Sequence, residues 1–482
     1  MDKSIFIKKI KTSDPFISEV LCRKYLSEVG DDIEIWKILF DALIFTKNNF
    51  EVKLLVENIL KRDFFSVSYL LLSIRYLLLS NNFPMARQLF LKIDFQENTK
   101  DNYLKNDFYH LALIEKIRNN ISLLPLSYVV MPTTAHEFNL KASNLFKTEP
   151  IDVVCFIAKD FHYSIQHRIA EELLNQNVKV IFSNSIWFIK TIKPKLILIS
   201  EALYGNLSEI RTYCPNALIV NTRHGLGDKN HAAIGASHCD KICVSSESIR
   251  ELMVDEMLVP NSKIWVTGYP QLDDFFYSSP TNPSSDEKSH TKSILFAPTF
   301  NQGLSAAFFL QTDLVKKLRG ADSSIKLIVK PHPHLLGIPN LIKSWLDESK
   351  SNNNTLIDTN PNSNITKYFH ECDLMVSDVS SAALAWLLVD KPLICLIDRK
   401  LAEASGHYSP DAIEWKMHSA ASVVTNPLEL YLEVKNQLKN PNIKSKQRDV
   451  FSNFLFGNLK DGKSSLRVAK NIIKYLRENV ND

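Results

Sequence analysis

The chain has 482 residues, too many for one ordinary core, so two or three domains are expected. Its 45% hydrophobic and 23% charged content is ordinary for soluble globular protein. A net charge of +4 over this length argues against a dedicated nucleic-acid binder and leaves room only for a local basic patch near phosphates.

The N-terminal stretch MDKSIFIKKIKTSD lacks the long apolar core of a secretory signal. Residues 1–125 read as an all-helical region. Apolar residues recur at helical spacing in 33–45, 52–60, 67–79 and 86–93. The most apolar window, 64–80, carries Arg75 and several serines and reads as a buried helix rather than a membrane span. Asn48-Asn49-Phe50 recurs as Asn81-Asn82-Phe83, a spacing close to the roughly 34 residues of tetratricopeptide helix pairs. A helical-hairpin array, tetratricopeptide-like at best, is predicted. Such an array either docks a protein partner on its concave face or serves as a spacer or oligomerisation module.

From about residue 126 the pattern changes to short apolar runs alternating with helices. IDVVCFIA (151–158), VKVIFS (178–183), KLILIS (195–200), ALIVNT (217–222), KICVSS (241–246) and KIWVTG (263–268) read as parallel-sheet strands, with a helix over 163–177. The Ser- and Pro-rich stretch 277–292 reads as a linker. A second alternating block follows: strands at 293–298, 325–331, 354–358 and 374–376, helices over 304–319 and near 339–349, and a last helix over 464–479. The expected organisation is α/β: a domain at 126–276 and a nucleotide-binding domain at 293–482, both Rossmann-like and facing a cleft. Ligands in such folds bind beyond the carboxyl ends of the strands.

Seven cysteines are scattered along the chain without a CxxC pair, which fits a reducing cytoplasm. Cys239 and Cys243 with His238 form a candidate metal group, but their strand-like setting favours a structural reading.

Several motifs fall at strand ends. DLMVSDVSSAALAWLL (373–388) is strand, turn, helix. Ser377, Asp378, Ser380 and Ser381 at that turn suit an anion such as a phosphate, which makes a nucleotide-linked substrate the first expectation. A plain helix cap by Ser380 uses the same N–H groups. Arg223-His224-Gly225 follows ALIVNT. His224 reads as a general base or as a loop histidine bonding its own turn, and Gly225 lets backbone approach a ligand. Gly268-Tyr269 after KIWVTG reads as a shaped turn at the domain junction. In Lys330-Pro331-His332-Pro333-His334 the prolines stiffen a loop from which Lys330 and His332 reach a diphosphate; a metal held by the two histidines is the rival, with no further ligands nearby. Glu201, after KLILIS, is the leading carboxylate for a second acid/base role, or an ordinary strand-end residue.

GNLKDGKS (457–464) matches the phosphate-loop pattern, but RDVFSNFLF before it shows no strand and too little chain follows for an NTPase domain. ATPase and GTPase activity are therefore not expected, while Gly462, Lys463 and Ser464 remain candidates for a phosphate contact at a helix start. No DxD-type acidic cluster stands at a strand end, so neutralisation of the leaving nucleotide by Lys, His, hydroxyls and helix dipoles is expected, with no metal or other cofactor required.

Taken in order, His224-Gly225, GYPQLDD (268–274), ILFAPTF (294–300), the His332 loop, SDVSS (377–381) and DGKSS (461–465) resemble the CDP-glycerol glycerophosphotransferase family, GT-B-type enzymes of teichoic-acid and capsule-polymer synthesis. The resemblance spans about 220–470. It implies a transferase acting on a CDP- or CMP-linked donor, with His224 as base and His332, Ser380 and Ser381 as diphosphate contacts. It also implies a glycan, lipid-linked or protein acceptor and a cytoplasmic enzyme, peripheral at the inner face of the membrane if that acceptor is lipid-linked. The sequence departs from the family pattern at Phe300 (usually Trp), Ser377 (usually Thr) and Val379 (usually aromatic), and lacks the usual basic residue and Asn in GYPQLDD. These departures keep another polyol phosphate or a nucleotide sugar open as donor. An epimerase or hydrolase, and a helical scaffold carrying a degenerate transferase domain, are the competing classes.

Overall fold

The computed structural model describes residues 3–11, 13–46, 48–60, 67–80, 82, 85–86, 89, 131–146, 150–159, 161–202, 204–227, 236, 238–277, 291–310, 313–320, 322–405 and 410–479. They fall into two compact units, Met1–Val130 with Ser185–Thr191, and Met131–Asn184 with Ile192–Asp482.

The first unit is helical, as its periodicity predicts: Lys3–Lys11, Pro15–Glu28, Ile33–Phe45, Asn49–Leu60 and Val67–Leu79. Asp14 and Asp32 cap the second and third helices, accepting from Phe16 N and Glu34 N. Ile33–Phe45 is the central helix and buries Ile35, Trp36, Ile38, Leu39, Phe40, Ala42 and Leu43. Tyr76 of Val67–Leu79 stacks on Phe40 at 4.7 Å and donates its hydroxyl to Lys37 O at 3.2 Å. The fourth apolar stretch, 86–93, lies largely outside the described residues, as do Asn81 and Phe83 of the second Asn-Asn-Phe. Nothing in these N-terminal helices identifies a tetratricopeptide repeat. No helix among the described residues is long and apolar enough to cross a membrane.

The second unit holds two parallel sheets. The first contains β1 (Val153–Phe156), β2 (Val180–Ser183), β3 (Leu196–Ile199), β4 (Leu218–Asn221), β5 (Lys241–Val244) and β6 (Ile264–Val266), in the order β2-β1-β3-β4-β5-β6. The second contains β7 (Ser293–Phe296), β8 (Lys326–Val329), β9 (Thr355–Ile357), β10 (Leu374–Ser377), β11 (Leu393–Leu396) and β12 (Ser422–Val424), in the order β12-β11-β10-β7-β8-β9. The central strands are wholly buried, which is why they read as unbroken apolar runs.

Each sheet reverses its strand order once, between β1 and β3 and between β7 and β10. Reversal splits the flanking loops apart and opens a crevice at the carboxyl ends. Register makes the crevice level: Phe156 pairs with Ile199, and Ile199 with Asn221, so the chain leaves β1, β3 and β4 at one height. Just beyond, a buried polar ladder fixes those exits. Gln166 Nε2 donates to Ser200 Oγ at 2.8 Å, and Ser200 Oγ lies 3.3 Å from Thr222 Oγ1.

One expectation changes. The helix expected over 304–319 is two short ones, Ala306–Leu310 and Leu314–Arg319. Asp313 between them takes a left-handed φ of 58°, and the N–H groups of Leu314 and Val315 donate to the Glu348 carboxylate. The 277–292 linker falls almost wholly outside the described residues. Residues before GNLKDGKS form a helix, Ser445–Phe456, so no strand feeds that loop. The last helix, Ser464–Glu478, packs back on His162–Asn175 beside the first sheet.

Candidate functional site

A cavity of about 350 Å³ lies between the carboxyl ends of the two sheets. Its first wall comes from the loops after β1, β3 and β4, and includes Phe161, Glu201, Arg223, His224 and Gly225. The second wall comes from the loops after β7, β8 and β10, and includes Phe300, Lys330, His332, His334, Ser380 and Ser381. Both crevices therefore open on one space.

His224 is held by its neighbours' backbone geometry. Arg223 sits at φ 57°, a strained setting for a non-glycine residue. Its N–H donates to Asn221 Oδ1 at 2.7 Å and its guanidinium to Gly227 O at 2.8 Å. The Tyr269 hydroxyl donates to His224 O at 3.0 Å. Burial pushes the His224 imidazole down to about 4, and the Glu201 charge only partly restores it. The ring is thus neutral at physiological pH, the state in which it can take a proton.

Glu201 faces two basic side chains. Its Oε2 lies 3.5 Å from His162 Nε2 and 3.4 Å from Lys159 Nζ. Burial alone would raise this carboxyl, but the His162 contact and the His224 and Lys159 charges hold it at about 2. It stays a carboxylate throughout the physiological range.

Phe161 is the spacer of the site. Its ring centroid lies 4.7 Å from His162, 6.3 Å from His224, 6.5 Å from His332 and 6.3 Å from His334. His332 packs against Phe300 at 4.7 Å, and its Nδ1 accepts from His334 N at 3.2 Å. That bond assigns the proton of the neutral ring to Nε2, making Nε2 a donor. His334 Nε2 lies 3.2 Å from Lys159 Nζ, so there Nε2 is the acceptor.

The serine turn divides. Ser380 and Ser381 line the cavity. Ser380 Oγ accepts from Ala382 N at 3.1 Å, capping the short helix Ser381–Trp386, and Ser381 Oγ accepts from Gly227 N at 3.2 Å. Ser377 and Asp378 are fully buried and do not line it. Ser377 Oγ donates to Ala297 O at 2.6 Å, and the Asp378 carboxylate accepts from Thr299 N and Ala306 N. They shape the loop after β7 rather than offer groups to a ligand. Lys330 lines the cavity, but its ammonium donates to Asn360 O at 2.5 Å and faces Asp358 at 3.6 Å.

Gly462, Lys463 and Ser464 stand outside the cavity wall. Ser464 N and Ser465 N donate to Asp273 at 3.1 and 2.6 Å, so a carboxylate of the chain occupies that helix start. Gly268, at φ 85°, packs on Ser464, whereas its neighbour Tyr269 lines the cavity. Lys159, Phe161, His162 and the buried Glu414 also stand at this site, and no motif in the sequence marks them. AKDFH follows β1 after Ile157, so the strand-end rule applied to that first strand points to three of them. Among the described residues no group of three or more His, Cys, Asp or Glu is placed to hold a metal, and all seven cysteines are free thiols.

Comparison with known proteins agrees with this architecture. The chain is similar to solved structures of the wall teichoic acid polymerase TagF. One has a TM-score of 0.50 at 14% identity, covering 80% of this chain and 100% of that one. A variant soaked with CDPG has a TM-score of 0.50 at 15% identity, covering 79% and 99%. At such identity the likeness establishes the fold, a GT-B-like pair of Rossmann-type domains. No curated protein sequence matches the chain. A family model, CDP-Glycerol:Poly(glycerophosphate) glycerophosphotransferase, matches residues 217–474, more than half of the chain. The match includes His224, His332, Ser380 and Ser381 and ends within the last helix, and the chain belongs to this family of transferases.

Proposed function

We propose that the protein transfers a polyol phosphate, glycerol phosphate first among them, from a CDP-linked donor to a hydroxyl of a teichoic-acid-like acceptor. The observation that carries this is one cavity with neutral His224 on one wall and His332 on the other, held apart by a single phenyl ring.

His224, kept neutral by burial, takes the proton of the acceptor hydroxyl. The acceptor oxygen attacks the phosphorus that bears the polyol. A new P–O bond forms, the bond from that phosphorus to the bridging oxygen breaks, and CMP leaves with the electron pair. His332 Nε2–H donates to the diphosphate as charge moves onto the leaving group. The hydroxyls of Ser380 and Ser381 lie on the same wall and supply further donors. Glu201, a firm carboxylate, stabilises the imidazolium that forms on His224. Lys330 contributes field rather than contact, because its ammonium is engaged by Asn360 and Asp358.

The test is CMP release from CDP-glycerol with and without a glycerol-phosphate acceptor. His224→Ala should remove acceptor-dependent release while leaving CDP-glycerol binding within a few-fold. Acceptor-independent consumption of the donor would replace the transferase reading with a hydrolase. A reaction retained in full by His224→Ala would displace the base.

A further inference from the structure

Lys159 is a cation beside the cavity that the proposed chemistry does not use. It follows β1 on the first half and keeps about a third of its side chain in solvent (32%). The Lys330 ammonium faces Asp358 within the second half, and the Arg223 guanidinium is bound to Gly227 O. Lys159 instead reaches across the cleft and lies 3.2 Å from His334 Nε2, on the second half. Its nearest carboxylate oxygen, on Glu201, is 3.4 Å away and shared with His162. An ammonium set against an imidazole leaves N–H capacity for a stronger, anionic acceptor.

The placement of this pair matches an acceptor rather than a donor. Phe161 lies between it and the proposed base, 6.3 Å from His334 and 6.3 Å from His224 by ring centroids. In a glycerol-phosphate chain, three carbons separate each phosphate from the next hydroxyl, a span of roughly 6 Å at ordinary bond lengths. A hydroxyl presented to His224 thus brings the preceding phosphate to within reach of Lys159 and His334.

We propose that Lys159 and His334 form an anion subsite for the acceptor, taking the phosphate one unit behind the reacting hydroxyl. The phosphate inserts between the two side chains. Lys159 donates directly, and the neutral His334 ring, released from Lys159, carries its proton on Nε2 and donates as well. The subsite joins the two halves of the cleft through the acceptor and selects phosphate-bearing polyols over neutral ones. This rests on His224 being the base that receives the acceptor hydroxyl.

Two measurements test it. The first compares kcat/KM for glycerol 3-phosphate and for glycerol as acceptors, at fixed CDP-glycerol, in the wild type, Lys159→Gln and Lys159→Arg. The wild type should favour the phosphate-bearing acceptor; Lys159→Gln should cut that preference about tenfold, the scale of one charge-assisted hydrogen bond, and Lys159→Arg should keep most of it. An equal loss on both acceptors would reduce Lys159 to a support for Glu201 and overturn the subsite. A raised KM for CDP-glycerol with an unchanged acceptor preference would assign the anion to the donor and overturn it too. The second titrates glycerol 3-phosphate into each protein by calorimetry without donor. Binding about tenfold weaker in Lys159→Gln supports the subsite even if CDP-glycerol is not turned over, whereas unchanged or absent binding in the wild type and variant overturns it.

Discussion

Asp273 accepts a hydrogen bond of 2.6 Å from the backbone N–H of Ser465, at the start of the last helix. A second, from Ser464 N at 3.1 Å, completes the clamp. Burial raises the Asp273 carboxyl, and the Ser465 and Ser464 contacts oppose that rise. The helix that returns from the second Rossmann half is therefore tied to the first half by a residue of the GYPQLDD segment. Its N-terminal N–H groups have their anion already.

Asp273→Ala should consequently act on stability rather than on the donor. It leaves two buried N–H groups without an acceptor, at about 1–3 kcal/mol each. Urea unfolding should show a lowered midpoint. Lys463→Ala, at the same helix start, should leave the KM for a CDP-linked donor within about twofold. A tenfold rise in that KM would restore the phosphate reading of GNLKDGKS.

The His224–Glu201 pair sets the pH behaviour. Burial depresses His224 to about 4, so its proton-accepting form is complete above that value and is lost as pH falls through it. The acidic limb of kcat/KM should lie well below the 6.5 of a free imidazole. Because the Glu201 charge raises His224, Glu201→Gln should move the limb lower still and slow the reaction at neutral pH. A limb that moves upward in this variant would reverse the assigned coupling. Unfolded His224 binds its proton near 6.5, so this residue also makes the fold less stable as pH drops from about 6.5 toward 4.

Much of this arrangement is legible in the amino-acid sequence. Four-residue apolar runs mark the buried strands, and His224 and His332 follow two of them, so the strand-end rule finds both. The rest depends on contacts that no local pattern encodes. Ser377 and Asp378 stand at a strand end like Ser380 and Ser381, yet face the loop after β7 instead of the cavity. Local sequence does not say which way a strand-end side chain turns. Lys330 looks like a phosphate ligand until Asn360 and Asp358 are found around it. The carboxylate that fills the Ser464 helix start comes from 191 residues upstream.

Gly225 and Gly227 measure how closely the two halves approach. A Cβ at Gly225 would lie 2.7 Å from Ser381 Oγ, and one at Gly227 would overlap the Glu414 carboxylate. Ser381 sits on the second half and accepts from Gly227 N, so these glycines are the contact surface of the cleft. Gly227→Ala should push the halves apart and lower kcat about a hundredfold, since displacements near 1 Å cost that much. Thermal stability should change little by comparison. A variant with unchanged kcat would mean that the reaction does not need this approach.

The milder clash at Gly225 allows a sharper test by double mutation. Gly225→Ala meets a hydroxyl, the movable end of a small side chain, so its loss should be about tenfold rather than a hundredfold. Ser381→Ala removes that hydroxyl, and with it the acceptor of Gly227 N, and should itself lower activity. Combining the two relieves the overlap, so the double variant should be more active than the product of the single effects predicts. The coupling measured this way belongs to neighbours in contact and should be absent between Gly225→Ala and Lys463→Ala, which share no partner. Simple additivity of Gly225→Ala and Ser381→Ala would show that the two residues do not touch in the working enzyme. It would also remove Ser381 from the set of residues that close on the substrate opposite His224.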